Sequence, residues 1–188
     1  MEGIESIELK DISIANQLNC RIKLLGISEI INGKIFSRVH PCLVKKDSYI
    51  GNVNGVMNVV ITEGIPVGES IMQGEGAGPG PTSSALMSDL LSILRGNIKF
   101  PFGIPYLNRK NIMGYNFDNY ENSLYLRFEV KDKPGVLAQI TKKLAEKKIS
   151  VERLIQIPDI KKKTASIVIV THKTKEISAQ KCLISLTK

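Results

Sequence analysis

The alternation of apolar and polar positions predicts strands in the first part of the chain. The apolar stretches 22–31 and 35–44 flank the dipeptide Asn32-Gly33. Because both residues of this dipeptide accept a positive φ, the arrangement predicts a β-hairpin. Two more strands are predicted at residues 56–63 and 67–73, separated by a short turn.

A helix and a linker complete the first part. Asp11 is expected to cap a helix whose apolar positions recur at helical spacing, at Ile12, Ala15 and Leu18. Residues 96–121 carry Gly, Pro, Asn and Tyr without a sustained period, which is typical of a linker. The chain is therefore predicted to divide into two domains, residues 1–117 and residues 118–188.

Residues 74–82 form a glycine-rich corner with the sequence Gly-Glu-Gly-Ala-Gly-Pro-Gly-Pro-Thr. It leads into an apolar helix predicted over residues 82–95, with Thr82 or Ser83 as the cap. The corner is not a dinucleotide-binding fingerprint, because Pro79 stands where the third glycine is needed and no βαβ unit surrounds it. Two interpretations remain: a bare backbone that approaches a ligand closely, or a simple strand-to-helix turn.

The last third of the chain changes to a βαββα pattern. Residues 124–130 alternate as a half-buried strand does, and residues 136–146 form an amphipathic helix. Strands follow at residues 149–157 and 165–171, and a second helix begins near residue 175. The expected fold is α+β: a mixed sheet with helices on one face, followed by a ferredoxin-like βαββα(β) module.

Composition and charge exclude several classes of function. Apolar residues make up 43% of the chain, and no apolar run reaches the roughly 20 residues of a membrane span. Residues 131–188 hold 14 Lys and Arg against 5 Asp and Glu, so the net charge of +8 is local to this part. Its lysines fall on the polar side of a predicted helix without interleaved aromatics, which favours a solvated face over nucleic-acid binding.

The cysteines and histidines point to no metal site and no nucleophile. Cys20, Cys42 and Cys182 are odd in number and far apart, which is typical of reduced thiols in a cytoplasmic protein. His40 precedes a proline at a predicted strand end and has no nucleophile motif beside it, so a structural role is expected.

The string Gly-x-Gly-Ala-Gly-x-x-Pro-Thr-x-Ser-Ala at residues 74–85, with Asp89 after it, resembles the C-terminal signature stretch of homoserine dehydrogenases. Further segments similar to that family surround it in the same order: Glu2-Gly3-Ile4 and residues 21–26, 38–41, 52–58 and 67–69. The resemblance covers nearly the whole chain, and the order of the segments makes it more specific than any single motif.

This resemblance implies an oxidoreductase of threonine and methionine biosynthesis that interconverts aspartate semialdehyde and homoserine with NADP or NAD. It implies cofactor contacts at Gly76, Ala77 and Gly78, with Gly74 and Thr82 as weaker candidates. The family's Rossmann domain, catalytic lysine and paired carboxylates belong upstream of the Glu-Gly-Ile stretch. No catalytic residue is therefore assigned, and the isolated chain is predicted to be inactive.

Residues 129–140 (Glu-Val-Lys-Asp-Lys-Pro-Gly-Val-Leu-Ala-Gln-Ile) resemble the opening of an ACT domain, a βαββαβ module that binds amino acids. The resemblance implies effector-binding residues in one run: Asp132, Pro134, Gly135, Val136 and Leu137. The effector would be threonine or a close relative, although pure assembly of a homo-oligomer, a dimer or tetramer, remains open. The module is C-terminally short, because no fourth strand follows the second helix.

Two alternatives come from other functional classes. A stand-alone ACT-type amino-acid-sensing regulator would use only the last third of the chain, and it leaves residues 1–115 without a role. A nucleic-acid binder would use the basic C-terminal part, and its affinity would fall steeply as salt rises.

Overall fold

The computed structural model describes residues 3–97 and 103–186. The predictions for Glu2, for part of the linker (98–102) and for the last two residues lie outside the described residues. The chain divides into two compact units. The first unit comprises residues 1–28 and 37–112, and the second comprises residues 29–36 and 113–188. The α+β class is confirmed by the elements of both units.

Helices and strands alternate along the first 97 residues. In order they are α1 (Leu9–Gln17), β1 (Cys20–Ile31), β2 (Lys34–Lys45), α2 (Tyr49–Asn52), β3 (Met57–Gly64), β4 (Gly68–Glu75) and α3 (Pro79–Leu94). β1 pairs with β2, and β3 pairs with β4 in an antiparallel hairpin. Over the described residues these strands form two separate two-stranded sheets, whereas one mixed sheet was expected.

Two predicted helix caps are wrong. Helix α1 begins at Leu9, so Asp11 lies inside its first turn, where the carboxylate accepts a hydrogen bond from the Glu8 amide at 2.9 Å. Helix α3 begins at Pro79 after Gly78, not at Thr82 or Ser83. Proline favours the first helical position because its ring presets φ and its missing N–H would have no partner there.

The hairpin prediction at Asn32-Gly33 is confirmed. Asn32 has φ +51° and Gly33 has φ +73°, the two positive values that a two-residue hairpin turn needs. The turn end of this hairpin, residues 29–36, belongs to the second unit, although most of β1 and β2 belongs to the first. Sequence periodicity predicts the hairpin. It does not predict that the hairpin is divided between the two units, because that division depends on contacts between residues distant in sequence.

The second unit holds a three-stranded antiparallel sheet with the order β6–β8–β7. Its elements are a 3-10 helix (Phe117–Asn119), β5 (Glu121–Asn122), β6 (Tyr125–Lys131), α4 (Val136–Glu146), β7 (Val151–Asp159), β8 (Thr164–Thr171), β9 (Thr174–Lys175) and α5 (Glu176–Leu186). The predicted βαββα order is confirmed, and α4 has the predicted bounds. β5 and β9 form a separate two-stranded antiparallel pair, in which β5 precedes β6 in the sequence and β9 follows β8.

The core of the second unit lies between the sheet and its helices. Its buried members are Ile140 and Leu144 of α4, Ile149, Ile167 and Ile169, and Cys182 of α5. Ile167 and Ile169 project from β8 opposite Phe128 and Leu126 of β6, so these two strands present apolar residues to the core. Their burial supplies the main driving force for folding of this unit.

Leu144→Ala tests the importance of this core. Leu144 is 1% exposed, and removing its side chain leaves a cavity, so we expect the free energy of unfolding to fall by about 3 kcal/mol. Leu107→Ala is the matched control, because Leu107 is 93% exposed and its loss should change stability by less than about 0.5 kcal/mol. Urea denaturation measures both; equal effects would contradict this description of the core.

Candidate functional site

All five residues predicted to bind an effector line one cleft of the second unit. Asp132, Pro134, Gly135, Val136 and Leu137 lie together where β6 ends and α4 begins, around a space of about 360 Å³. Five further residues complete the lining of the cleft: Val130, Lys131, Lys133, Gln156 and Ile167. Gln156 gave no sequence signal, because it enters the cleft only through the register of β7 on β8.

Gly135 makes the tight passage from strand to helix. It has φ +89° and ψ −16°, a left-handed conformation that glycine adopts without a Cβ penalty. As the N-cap of α4, it directs the first turn of the helix at the cleft. The Leu137 and Ala138 amides stand in that first turn, where a helix offers N–H groups without internal partners.

The charge of this cleft favours a carboxylate. The positive end of the α4 dipole and the ammonium groups of Lys131 and Lys133 border the space, and Asp132 is the acidic residue among its lining. An α-amino acid carries a carboxylate and an ammonium group together, so this set of lining groups suits such a ligand.

The glycine corner joins β4 to α3 and is exposed. Gly74 pairs with Asn58 across the β3–β4 hairpin, and the Gly76 amide donates to the Val56 carbonyl at 2.8 Å. Thr82 lies in the first turn of α3, and its amide donates to the Gly78 carbonyl at 3.2 Å. The corner is therefore held by its own backbone while one side remains open to solvent.

Two glycines of the corner are restricted in different ways. Gly78 has φ +126°, which side chains rarely allow, and a Cβ on Gly76 would overlap the side-chain amide of Asn58 unless that side chain moved. The sequence analysis did not identify Asn58 as a neighbour of Gly76. The pairing of Asn58 with Gly74 across β3 and β4 is the feature that indicates this contact. By contrast, a Cβ on Gly74 or Gly80 would meet nothing within 4 Å.

The start of α3 is poor in free amide donors. Pro79 and Pro81 lack N–H groups, which removes two of the first three donors of the helix. The sequence interpretation that this helix end favours an anion is therefore weakened. The corner therefore offers a backbone that another group can approach closely rather than a set of amide donors for a pyrophosphate.

Other polar residues of the first unit have structural partners. The Lys23 ammonium group donates to the Val53 carbonyl, and Arg21 donates to the Gly51 carbonyl at 3.0 Å, so both side chains hold the loop before β3. The Cys42 sulfur lies 3.3 Å from His40 Nε2. Burial raises the pKa of the Cys42 thiol although the nearby Arg38 cation lowers it, so this thiol is a weak nucleophile.

Residues 3–97 and 103–186 hold neither a candidate membrane-spanning helix nor a candidate metal cluster. None of the helices described there has the length and apolar character needed to cross a membrane. The same residues contain no cluster of three or more His, Cys, Asp and Glu side chains arranged to hold a metal ion.

Comparison with known proteins gives two family matches. The sequence model of the homoserine dehydrogenase family matches residues 1–91, and that of the ACT domain matches residues 124–181. A homoserine dehydrogenase of Neisseria gonorrhoeae is 39% identical over 184 residues, which cover 94% of this chain and 42% of that protein. One of Pseudomonas aeruginosa is 37% identical over 161 residues, covering 82% of this chain and 37% of that protein.

Solved structures agree with these relatives. A homoserine dehydrogenase from Thiobacillus denitrificans superposes with a TM-score of 0.83 at 32% identity, covering 98% of this chain and 43% of the other. One from S. aureus gives a TM-score of 0.58 at 25% identity, covering 92% and 41%. The chain thus spans about two fifths of the length of the relatives that it matches. It belongs to the homoserine dehydrogenase family, with that family's segment at residues 1–91 and an ACT domain at residues 124–181.

Proposed function

We propose that this chain supplies one wall of the nicotinamide and substrate site of a homoserine dehydrogenase, together with the module that senses an amino acid. The glycine corner carries the first part of the proposal. Its residues Gly76, Ala77 and Gly78 present bare backbone on an exposed surface, where a cofactor held by a nucleotide-binding domain would reach them. NADP and NAD both remain candidates, because the groups that read the ribose belong to that other domain.

The nicotinamide, when bound, accepts or donates a hydride. The proposed role of this chain in that reaction is to position the reactants and exclude water from one side of the ring. Gly74 and Thr82 would flank the contact, one at the end of β4 and the other in the first turn of α3. The substrates of the whole enzyme would be aspartate semialdehyde and homoserine, in a cytoplasmic homo-oligomer of the threonine and methionine pathway.

The exposed apolar residues of α3 support the proposal that another domain packs against this helix. No residue of this helix is buried in the described structure. Four of its large apolar residues are between 48% and 72% exposed: Leu86, Leu90, Ile93 and Leu94. Because apolar surface of this extent favours contact with another protein surface, the wall is proposed to act only when a second domain covers it.

The cleft at Gly135 carries the second part of the proposal. Its lysines, its acidic residue and the start of α4 converge on a space large enough for an amino acid. Feedback by threonine or a close relative is the function that this chemistry supports best. An ACT unit used only for assembly would not require a polar cleft of this kind.

The first prediction concerns threonine binding. Threonine at about ten times its Kd should stabilise the chain by ~1.4 kcal/mol, measured as a thermal shift. Gly135→Ala should reduce the shift, because Gly135 lines the cleft and an added Cβ would narrow it. Gly55→Ala is the matched control: it lies outside this cleft, and like Gly135 it has a positive φ and open space around an added Cβ, so both variants carry a similar backbone strain of ~1–2 kcal/mol. An equal threonine shift in the two variants would place the effector elsewhere.

The second prediction concerns the glycine corner. Residues 1–188, grafted in place of the matching 42% of the Neisseria gonorrhoeae relative, should give an active dehydrogenase, whereas the chain alone should not turn over. In the graft, Gly76→Ala should lower kcat/KM by about 100-fold, since a displacement of about 1 Å costs that much. Gly80→Ala is the control, because its Cβ has open space.

Two results would contradict the role given to this corner. One is turnover by the chain alone at rates on the order of 1–1,000 per second. The other is full recovery of activity in Asn58→Ala/Gly76→Ala. That recovery would show that Gly76 only makes room for Asn58 and has no close contact with the cofactor.

A further inference from the structure

A second cleft of the second unit lies at the turn end of the β1–β2 hairpin. It measures about 900 Å³, and residues from three separate segments line it, among them Glu29, Tyr115, Tyr120, Glu121, Lys173 and Lys175. None of these residues lines the cleft at Gly135. The two clefts are therefore distinct, and the site proposed above leaves this one without a role.

One wall of this cleft is fixed by aromatic packing. Phe36 is 3% exposed and stacks on Tyr120 with ring centroids 3.8 Å apart and planes 8° from parallel. The Tyr120 hydroxyl donates to Glu29 Oε1 at 3.0 Å. Because ring and hydroxyl are both held, the position of Glu29 at the cleft is set before any ligand arrives.

Backbone contacts secure the same wall. The Ile35 amide donates to the Met113 carbonyl at 2.9 Å, and the Tyr115 amide donates to the Ile35 carbonyl at 2.7 Å. On the other side, the Glu176 amide donates to the Tyr120 carbonyl at 2.9 Å, which joins the start of α5 to this segment. The segments that form the cleft are thus connected by hydrogen bonds of ordinary length.

The charges of the cleft are balanced but not paired with one another. Glu29 and Glu121 supply two carboxylates, and Lys173 and Lys175 supply two ammonium groups. Among residues 3–97 and 103–186, no ion pair joins either lysine to either glutamate. Both signs of charge are therefore available to a bound molecule, and a ligand with only one sign would meet two groups of its own charge.

We propose that this cleft binds a small zwitterion of the α-amino-acid class. The ligand carboxylate lies near Lys173 and Lys175, and its ammonium group lies near the Glu29 carboxylate, whose second oxygen remains available. Such a ligand touches the hairpin turn end, so its binding also restrains residues 29–36. This site is additional to the cleft at Gly135, and it does not depend on the function proposed above.

Amide NMR of the ¹⁵N-labelled chain titrated with L-threonine tests the proposal. Shifts are expected at residues 29–31, 115–123 and 173–175, with slower amide hydrogen exchange at residues 29–36. Two analogues separate the charges: 3-hydroxybutyrate lacks the ammonium group, and 1-amino-2-propanol lacks the carboxylate. Each should bind about fivefold more weakly than threonine, the effect of losing one partly exposed charge contact.

Substitution of the two lysines tests whether they contribute to threonine binding at this cleft. Lys173→Gln/Lys175→Gln should weaken threonine binding at this cleft about fivefold, whereas Lys181→Gln, an exposed lysine outside the cleft, should leave it unchanged. Absence of these shifts, equal binding of 3-hydroxybutyrate, or equal binding in the double variant would overturn the proposal. Shifts at residues 131–137 report the cleft at Gly135 separately, so failure at one cleft is distinguishable from failure at the other.

Discussion

Burial of β8 between β6 and β7 is the constraint on which the second unit depends. All residues from Ala165 to Ile169 are buried, and Thr171 is fully buried at the end of the strand. β6 and β7 pair with the two edges of this strand, and residues of the two helices share a core with Ile167 and Ile169 on one of its faces. The cleft at Gly135 follows from this arrangement, because the chain must leave β6 and turn at once into α4 to cover the sheet.

The two units differ in how much of their apolar surface they bury themselves. The second unit packs α4 and α5 on its sheet, with Ile140, Leu144 and Cys182 in the core. In the first unit, α3 has no buried residue, and the described strands form separate hairpins. Because of this contrast, we propose that the second unit binds an amino acid, and that the first unit forms one wall of the cofactor site only when another domain covers it.

Sequence patterns predicted the local features well and the distant contacts poorly. Alternation and turn chemistry predicted the Asn32-Gly33 hairpin and the bounds of α4, because each depends on neighbouring residues. The start of α3 was predicted three residues late, since the pattern weighted Thr82 as a cap over Pro79 at the first helical position. The place of Asn58 beside Gly76 and that of Gln156 in the cleft at Gly135 come from strand register, and the stacking of Phe36 on Tyr120 comes from tertiary packing. The proposed division at residues 117 and 118 stays a prediction, and the place of residues 29–36 in the second unit is a tertiary feature that no local pattern encodes.

The central claim is that the second unit is stable by itself, whereas the apolar residues of α3 have no protein surface packed against them. Native-state hydrogen exchange of the dilute chain tests this most directly, because it reports opening free energies segment by segment. The account predicts that β8 amides exchange only through global unfolding of the second unit and that α3 amides exchange through far smaller openings. Protection of α3 equal to that of β8 would contradict the account.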